Sequence, residues 1–304
     1  MGDVLGPHFL VIGAQKAGTT TLYEHLRSHP GLFLPDNKEP HFFCSPSAGS
    51  LPAWEPRLLG SLRDVLVADL DEYRSLFRGA GTRRTGECST GYLADPDAAA
   101  RAVVANPAVR VIAVLRDPVE RAYSAWWMYH RSHHDRLSFE EALEAEPSRL
   151  ADGWGHPFAY RGNGQYSHHL ARWRSVLHPD QMLVLRFEDL VNNTGTTLAT
   201  VCDFLGVERL RGELPHIAAN AARPRGGSVR GHALAARLAP FRPTLSRVIP
   251  SRLLARATSR VLPPTSVPTI DAQIDAMLRA SLTADIEELE RDLGWDLSNW
   301  KCSA

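Results

Sequence analysis

A loop that could bind an anion lies near the start of the chain. Residues 13–20 read Gly-Ala-Gln-Lys-Ala-Gly-Thr-Thr and separate a short apolar run from a helical pattern. A strand–loop–helix junction offers free backbone N–H groups and the positive end of a helix dipole, which together bind phosphate. Lys16 stands inside the loop, and the other lysines of the chain are only Lys38 and Lys301. The pattern predicts an anion-binding loop built around Lys16.

The spacing of this loop separates two kinds of anion chemistry. The nucleotide-hydrolase pattern GxxxxGK(S/T) has lysine directly after its second glycine, whereas here that position is Thr19 and the lysine is Lys16. A magnesium-assisted γ-phosphate site is therefore disfavoured. A lysine inside the loop can instead contact the bridging oxygen of a phosphosulfate and offset charge on the leaving phosphate, with Thr19 and Thr20 as further hydroxyl donors. The alternative is a solvated lysine before an ordinary helix cap.

A second group of candidate residues follows the apolar run Val109–Leu115. Arg116 comes directly after this predicted strand, and Asp117 with Pro118 is typical of a helix start. Ser124 lies two helical turns beyond Asp117. Ligands of open α/β sheets bind at the carboxyl ends of strands, where arginine offers a bidentate fork and serine a compact donor. We predict that Arg116 and Ser124 hold one phosphate group, with a simple helix start as the alternative.

The elements that must position these residues alternate between strands and helices, which favours a parallel sheet. Apolar runs predict strands at Phe9–Gly13, Val109–Leu115 and Gln181–Phe187. Helical patterns are found at Thr20–His29, from Pro118 to about His133, at Thr194–Leu205 and at Ile270–Leu293. Shorter amphipathic segments cover residues 69–77, 138–146 and 165–177.

Composition limits the class of protein. The chain has 304 residues, 44% of them hydrophobic, which suits a single domain over residues 1–304 with a less regular stretch at about 222–264. Its 34 basic and 34 acidic residues balance, so nucleic acid or an anionic membrane is not expected as the main partner. The chain contains no run of about 18 apolar residues, so no membrane span is predicted.

Cysteine usage suggests the compartment of the protein, and amino-acid composition suggests its source. The four cysteines are scattered, which favours a reducing, cytoplasmic location over a disulfide scaffold. The many Ala, Arg, Asp and Pro residues are typical of a GC-rich bacterial source. The runs His133-His134-Asp135 and His168-His169 could suggest metal ligands, but we interpret both as exposed helix ends and predict no metal site.

Several blocks of the chain resemble, in the same order, the sulfotransferases that use 3′-phosphoadenosine 5′-phosphosulfate (PAPS), in the branch that includes the heparan sulfate enzymes. Residues 13–20 resemble the 5′-phosphosulfate loop of that family, and residues 116–124 resemble its 3′-phosphate element. Residues 38–43 are similar to its KExHFF segment, and residues 86–92 to its GExxPxY element with Gly91 where proline is usual. Further similar stretches are 187–190, 204–206 and 294–300. The ordered set is specific and spans nearly the whole chain.

The resemblance implies a fold, a donor and a reaction. The fold is a three-layer, P-loop-like α/β domain with a central parallel sheet of about five strands flanked by helices. The reaction is in-line transfer of a sulfuryl group from PAPS to a hydroxyl or amine, without a metal, leaving 3′-phosphoadenosine 5′-phosphate (PAP). The implied donor-binding residues are Lys16, Ala17, Gly18, Thr19, Thr20, Arg116, Ser124, Arg225 and Gly226.

The resemblance also supplies a candidate base, because the catalytic glutamate of the family maps onto Glu39. Desolvation beside a closing site would raise the pKa of this carboxylate toward neutral. His41 is the rival base, and in an extended segment both side chains point to the same face, so that one could act while the other orients it. The alternative is that Glu39 merely pairs with Lys38 at the surface.

These motifs do not determine the acceptor. A small molecule, a glycoside or a lipid-linked molecule is favoured over a polymerised glycosaminoglycan, because the chain has no lysine-rich groove. The oligomeric state is equally open. Two other classes compete with the sulfotransferase interpretation, a P-loop nucleotide kinase that binds ATP with magnesium and a catalytically silent nucleotide-binding module.

Overall fold

A five-stranded parallel sheet forms the centre of the protein, in the strand order β2-β3-β1-β4-β5. The computed structural model describes residues 6–44, 62, 65–210 and 267–302. The strands are β1 (Phe9–Gly13), β2 (Leu32–Phe33), β3 (Arg84–Cys88), β4 (Arg110–Leu115) and β5 (Met182–Arg186). β1 is buried along its whole length, as expected for a strand covered on both faces. The predicted fold class is confirmed.

Helices flank this sheet and connect its strands. Those of the described residues are α1 (Thr19–Arg27), α2 (Leu70–Ser75), α3 (Ala98–Ala105), α4 (Pro118–Arg131), α5 (Phe139–Glu144), α6 (Glu146–Ala151), α7 (Tyr166–Arg174), α8 (Phe187–Asn192), α9 (Thr194–Leu205) and α10 (Ala272–Leu293). All the predicted helices are present, although several begin or end one to three residues from the predicted position.

The register of the sheet brings the candidate residues to one edge. Phe9 of β1 lies opposite Gly86 of β3 on one side and opposite Arg110 of β4 on the other. Because all pairings are parallel, the carboxyl ends of these strands meet at the same edge. The loop after β1, the turn after β3 and Arg116 after β4 therefore lie beside one another.

Sequence patterns did not predict two of the five strands. β2 is only two residues long, and β3 reads Arg-Thr-Gly-Glu-Cys, which contains no apolar run. Its last three residues are nevertheless buried. Gly86 leaves room for the ring of Phe9 on the neighbouring strand, since a Cβ there would lie 2.1 Å from that ring. Packing between strands decides this position.

One carboxylate begins α4 and also attaches the C-terminal helix. Asp117 Oδ1 accepts hydrogen bonds from the backbone N–H groups of Val119 and Glu120, at 2.9 and 3.0 Å, as the sequence predicted. Asp117 Oδ2 lies 2.7 Å from Nη1 of Arg279 on α10. Asp117, the residue that follows Arg116, is thus held by the first turn of α4 and by α10.

The prediction that both histidine groups are exposed was wrong in part. Asp135 is only 1% exposed, and its carboxylate binds Arg149 at 2.7 and 2.9 Å and the Tyr160 hydroxyl at 2.8 Å. His169 is also buried, with Nε2 2.9 Å from the carbonyl oxygen of Gly162. Within the described part of the chain, no group of His, Cys, Asp and Glu side chains could hold a metal ion.

The structure bears on two further predictions. Among the helices of the described residues, none has the length and apolar character needed to cross a bilayer. The four cysteines are free thiols, and three of them are buried. The less regular stretch predicted at 222–264 lies outside the described residues.

We expect Leu282→Ala to destabilise the whole protein, because Leu282 of α10 is 1% exposed and packs against Gly164. The free energy of unfolding should fall by about 2–5 kcal/mol. Met277→Ala on the same helix is the control, because Met277 is 51% exposed, and it should change this free energy by less than about 0.5 kcal/mol. Urea unfolding measures both. A change in Leu282→Ala as small as that in Met277→Ala would show that α10 does not unfold together with the rest of the domain.

Candidate active site

The anion loop joins β1 to the first turn of α1. Gly18 caps the helix with a left-handed backbone, φ 80°, and an added Cβ would lie 3.0 Å from the ring of Phe187. Both the backbone conformation and the close contact favour glycine here. The first turn of α1 leaves the N–H groups of Thr19 and Thr20 without intrahelical acceptors. The loop can therefore present several backbone donors to an anion.

Four basic side chains gather around this loop: Lys16, Lys38, Arg116 and Arg131. We call them the cation cluster. Burial, followed by the charges of the other three members, lowers the pKa of Lys16. Its Nζ lies 4.0 Å from the sulfur of Met128 on α4. An anion would relieve the repulsion within the cluster, so the site suits a multiply charged ligand.

Arg116 stands next to the anion loop, as predicted. Its Nη1 donates to the carbonyl oxygen of Lys16 at 3.3 Å, and its Nη2 pairs with Glu120 at 2.7 Å. The guanidinium carbon lies 4.9 Å from the centroid of the Phe187 ring. These contacts fix the orientation of Arg116 at the carboxyl end of β4.

The remaining predicted donor-binding residues differ in what they can offer. Ala17 is fully buried and Thr19 is 4% exposed, so these two residues contribute mainly backbone groups. Ser124 lies on α4 and is half-buried. Arg225 and Gly226 lie outside the described residues. Contact of Ser124 with a phosphate stays a prediction.

Glu39 and His41 come together, but not through an extended backbone. Both have left-handed backbones, with φ of 70° and 51°, so the expectation of an extended segment was wrong. His41 Nε2 nevertheless lies 3.1 Å from Glu39 Oε2. The same oxygen accepts from the Thr90 backbone N–H at 2.9 Å and the Thr90 hydroxyl at 3.0 Å. The other oxygen, Oε1, pairs with Lys38.

The pKa of Glu39 lies below its ordinary value, contrary to the expectation that burial would raise it. Burial does act to raise this pKa, but the charge of Lys38 and the hydrogen bond from His41 outweigh it. The Lys38–Glu39 pair is present, as the alternative interpretation proposed. It is mostly buried, however, with side chains 20% and 23% exposed. Glu39 is therefore an ionised carboxylate held by three residues, Lys38, His41 and Thr90.

A small cleft of about 40 Å³ lies beside His41 and Thr90. Its lining within the described residues is Ala14, Gln15, His41, Leu62, Thr90, Gly91, Leu93, Ala94, Tyr129, His156, Pro157 and Asn163. None of these twelve residues is lysine, arginine, aspartate or glutamate. The cleft therefore offers imidazole, amide and hydroxyl groups, and two of its lining residues, His41 and Thr90, contact the Glu39 carboxylate.

Sequence reasoning missed two residues of this site, Thr90 and His156. Thr90 lies inside the 86–92 block, and its place beside a candidate base could have been suspected from that block. His156 is far away in sequence and gave no signal. Burial, followed by the nearby His41 and His169, lowers the pKa of His156 to about 3, so its imidazole is neutral at physiological pH.

Gly91 explains how His156 reaches the cleft. A Cβ at this position would lie 2.5 Å from Nε2 of His156 and 3.0 Å from Nδ1 of His41. Real atoms do not approach this closely, so any side chain at position 91 would displace one of the imidazoles. The glycine that stands where proline is usual thus makes room for a second histidine.

The fold and the site define a class of protein. It is a P-loop-like α/β protein in which basic side chains surround an anion-binding loop next to an ionised glutamate. The sequence agrees with a known family of this class. Residues 7–211 match the model of the sulfotransferase family, and the chain belongs to that family.

Individual relatives place the chain more closely. It is 31% identical over 217 residues to the human bifunctional heparan sulfate N-deacetylase/N-sulfotransferase 3, covering 69% of this chain and 23% of that protein. It is 29% identical over 276 residues to human carbohydrate sulfotransferase 15, covering 72% and 48%. The matches thus span about a quarter and about half of the length of these relatives. A crystal structure of a sulfotransferase from Alicyclobacillus acidocaldarius superimposes with a TM-score of 0.72 at 26% identity, covering 97% of this chain and 98% of the other.

We expect Gly91→Ala to destabilise the protein by about 1–3 kcal/mol, because the new methyl group would collide with His156. In a His156→Ala background the same substitution should cost less, since the colliding ring is gone. A double-mutant cycle measured by urea unfolding gives the coupling between the two positions. An identical loss in both backgrounds would contradict the contact between Gly91 and His156.

Proposed function

We propose that this protein transfers a sulfuryl group from PAPS to a hydroxyl or amine of a carbohydrate or other small-molecule acceptor. The observation that carries the proposal is the cation cluster around Lys16 in a strand–loop–helix junction. In the reaction the S–O bond to the 5′-phosphate of PAPS breaks and a new S–O or S–N bond to the acceptor forms. The acceptor proton passes to a base of the protein.

The donor would be held by two parts of the site. Lys16 would contact the leaving phosphate, while the backbone N–H groups of residues 17–20 bind the 5′-phosphosulfate. Arg116 and Ser124 would bind the 3′-phosphate that distinguishes PAPS from other adenine nucleotides. The contact between Arg116 and the Lys16 carbonyl couples these two parts.

Glu39 would accept the proton of the acceptor, because it is an ionised carboxylate that contacts two lining residues of the cleft, His41 and Thr90. Its pairing with Lys38 makes it a weaker base than an ordinary glutamate. Lys38 is also close enough to Lys16 to lower the pKa of that residue. A bound phosphosulfate would therefore compete for Lys38, and weakening of the Lys38–Glu39 pair would raise the pKa of Glu39 toward its ordinary value.

A neutral, hydroxyl-bearing acceptor fits the cleft best. Its described lining carries imidazole, amide and hydroxyl groups and no lysine or arginine. A polyanionic chain would require lysine or arginine along the acceptor path. The printed names of the relatives, heparan sulfate and carbohydrate sulfotransferases, support a sugar as acceptor, and we propose a glycoside or another small hydroxylated molecule.

The donor site predicts selective binding of PAP. Calorimetric titration should give micromolar affinity for PAP without metal and much weaker binding of ADP, which lacks the 3′-phosphate. Lys16→Ala and Arg116→Ala should each weaken PAP binding at least about tenfold, because each removes a charge-assisted contact.

Two variants are matched controls for this titration. Lys301→Ala and Arg174→Ala remove one lysine and one arginine whose partners are Glu290 and Asp292 instead of loop residues. PAP affinity should be unchanged in both. Preference for ATP with magnesium would support a kinase, and absence of nucleotide binding would support a silent module.

Removal of the proposed base Glu39 should slow sulfuryl transfer strongly and leave the donor site intact. We expect Glu39→Gln to lower kcat by about 10²–10⁴-fold while PAP affinity stays within about twofold of wild type. The assay follows radiolabelled PAPS with methyl β-glucoside as the test acceptor. Glu24→Gln, at an exposed position on α1, is the control. A larger loss in His41→Asn than in Glu39→Gln would identify the histidine as the base.

A further inference from the structure

A buried carboxylate that has no part in the reaction above lies at the end of β3. Glu87 is fully buried, and three hydroxyl groups donate to it. Its Oε1 accepts from Tyr92 at 2.6 Å and from Tyr73 at 3.0 Å, and its Oε2 accepts from Ser89 at 2.8 Å. Burial raises the pKa of Glu87, while these hydrogen bonds oppose that change. Burial of a carboxylate is unfavourable unless hydrogen bonds offset the loss of hydration, so the three donors around Glu87 need to be well placed.

Two of the three hydroxyls continue to residues 39–43, which we call the base segment. The backbone N–H of His41 donates to Ser89 Oγ at 3.0 Å. The backbone N–H of Phe43 donates to the Tyr92 hydroxyl oxygen at 3.2 Å. A hydroxyl has one proton, so a hydroxyl that donates to Glu87 turns a lone pair toward its other neighbour. By taking both hydroxyl protons, Glu87 leaves the two oxygens free to accept from the backbone N–H groups of His41 and Phe43.

The base segment needs such support because of its backbone. Glu39 and His41 both have left-handed φ angles, which cost about 1 kcal/mol or more each in residues other than glycine. A backbone of this kind persists only where its surroundings hold it. The Glu39 N–H also donates to the carbonyl oxygen of Cys88 at 3.0 Å. The segment is thus attached through residues 39, 41 and 43 to the end of β3 and the turn that follows it.

We propose that Glu87 is a positioning residue for sulfuryl transfer. By accepting the protons of two hydroxyl groups, it directs both oxygens at the backbone of the base segment and so determines where the Glu39 carboxylate stands. The role of Glu39 in this statement rests on the proposed function. The hydrogen-bond relay itself does not depend on it.

Tyr73 offers a matched control. Its hydroxyl donates to the same Glu87 oxygen as that of Tyr92. Tyr73 contacts the base segment through its ring, whose centroid lies 4.2 Å from that of Phe42 and 5.6 Å from that of Phe43. Tyr73→Phe removes one donor to Glu87 and keeps this ring contact. Tyr92→Phe removes an equivalent donor and also the acceptor for the Phe43 N–H.

The experiment is amide hydrogen exchange of the full chain without ligand, followed by mass spectrometry of peptides that cover residues 38–44. In Tyr92→Phe and Ser89→Ala, exchange in this segment should accelerate about fivefold or more, because one amide loses its acceptor. Glu87→Gln keeps the volume but weakens the acceptor, and should accelerate exchange at both amides. Tyr73→Phe should leave the exchange rate of this segment unchanged.

Transfer kinetics supply the second readout. Tyr92→Phe and Ser89→Ala should lower kcat about tenfold or more, since a small displacement of a catalytic group has effects of this size, and should leave the KM for PAPS within about twofold. Tyr73→Phe should retain wild-type kcat.

Two results would overturn the proposal. Equal acceleration of exchange in Tyr73→Phe and Tyr92→Phe would mean that the cluster only stabilises the core. Unchanged exchange in Tyr92→Phe and Ser89→Ala would mean that the relay does not hold the base segment. If neither the wild-type protein nor any variant binds PAP, the proposed function fails. The exchange data would still decide whether Glu87 holds residues 39–43.

Discussion

Electrostatic repulsion among the basic side chains around the anion loop is the interaction on which the rest of the site depends. Lys16 has a lowered pKa because it is partly buried and surrounded by three other cations. Part of this repulsion is offset because Arg116 pairs with Glu120 and Lys38 pairs with Glu39. The charge is therefore in place before an anion binds, which is the condition for strong electrostatic stabilisation of a leaving group.

Glu39 connects the cation cluster to the cleft that His41 and Thr90 line. One of its oxygens pairs with Lys38 of the cation cluster, and the other is held by Thr90 and lies beside His41 at the cleft. A carboxylate in this position neutralises part of the cluster and is a weak base until that pairing is disturbed. In the proposed reaction, binding of the donor would therefore alter the basicity of the group that acts on the acceptor.

Much of the site was predictable from short-range pattern. The anion loop, the Asp117 cap and the place of Arg116 after β4 depend on backbone geometry that a few neighbouring residues determine. The pKa of Glu39 was not predictable in direction, because burial and ion pairing act against each other and only the structure shows which is larger. The left-handed backbone of the base segment was hidden for a similar reason, since its supporting acceptors come from another strand.

By itself, the sequence determined the class of fold and the type of chemistry. Apolar periodicity specifies strands and helices, and a lysine in a strand–loop–helix junction specifies an anion site. The tertiary structure decided which distant residues complete that site. β3 is buried although it has no apolar run, and His156 enters the cleft only because Gly91 has no side chain. Contacts between residues far apart in the chain leave no local periodicity, so their effects become visible only when the strands are placed side by side.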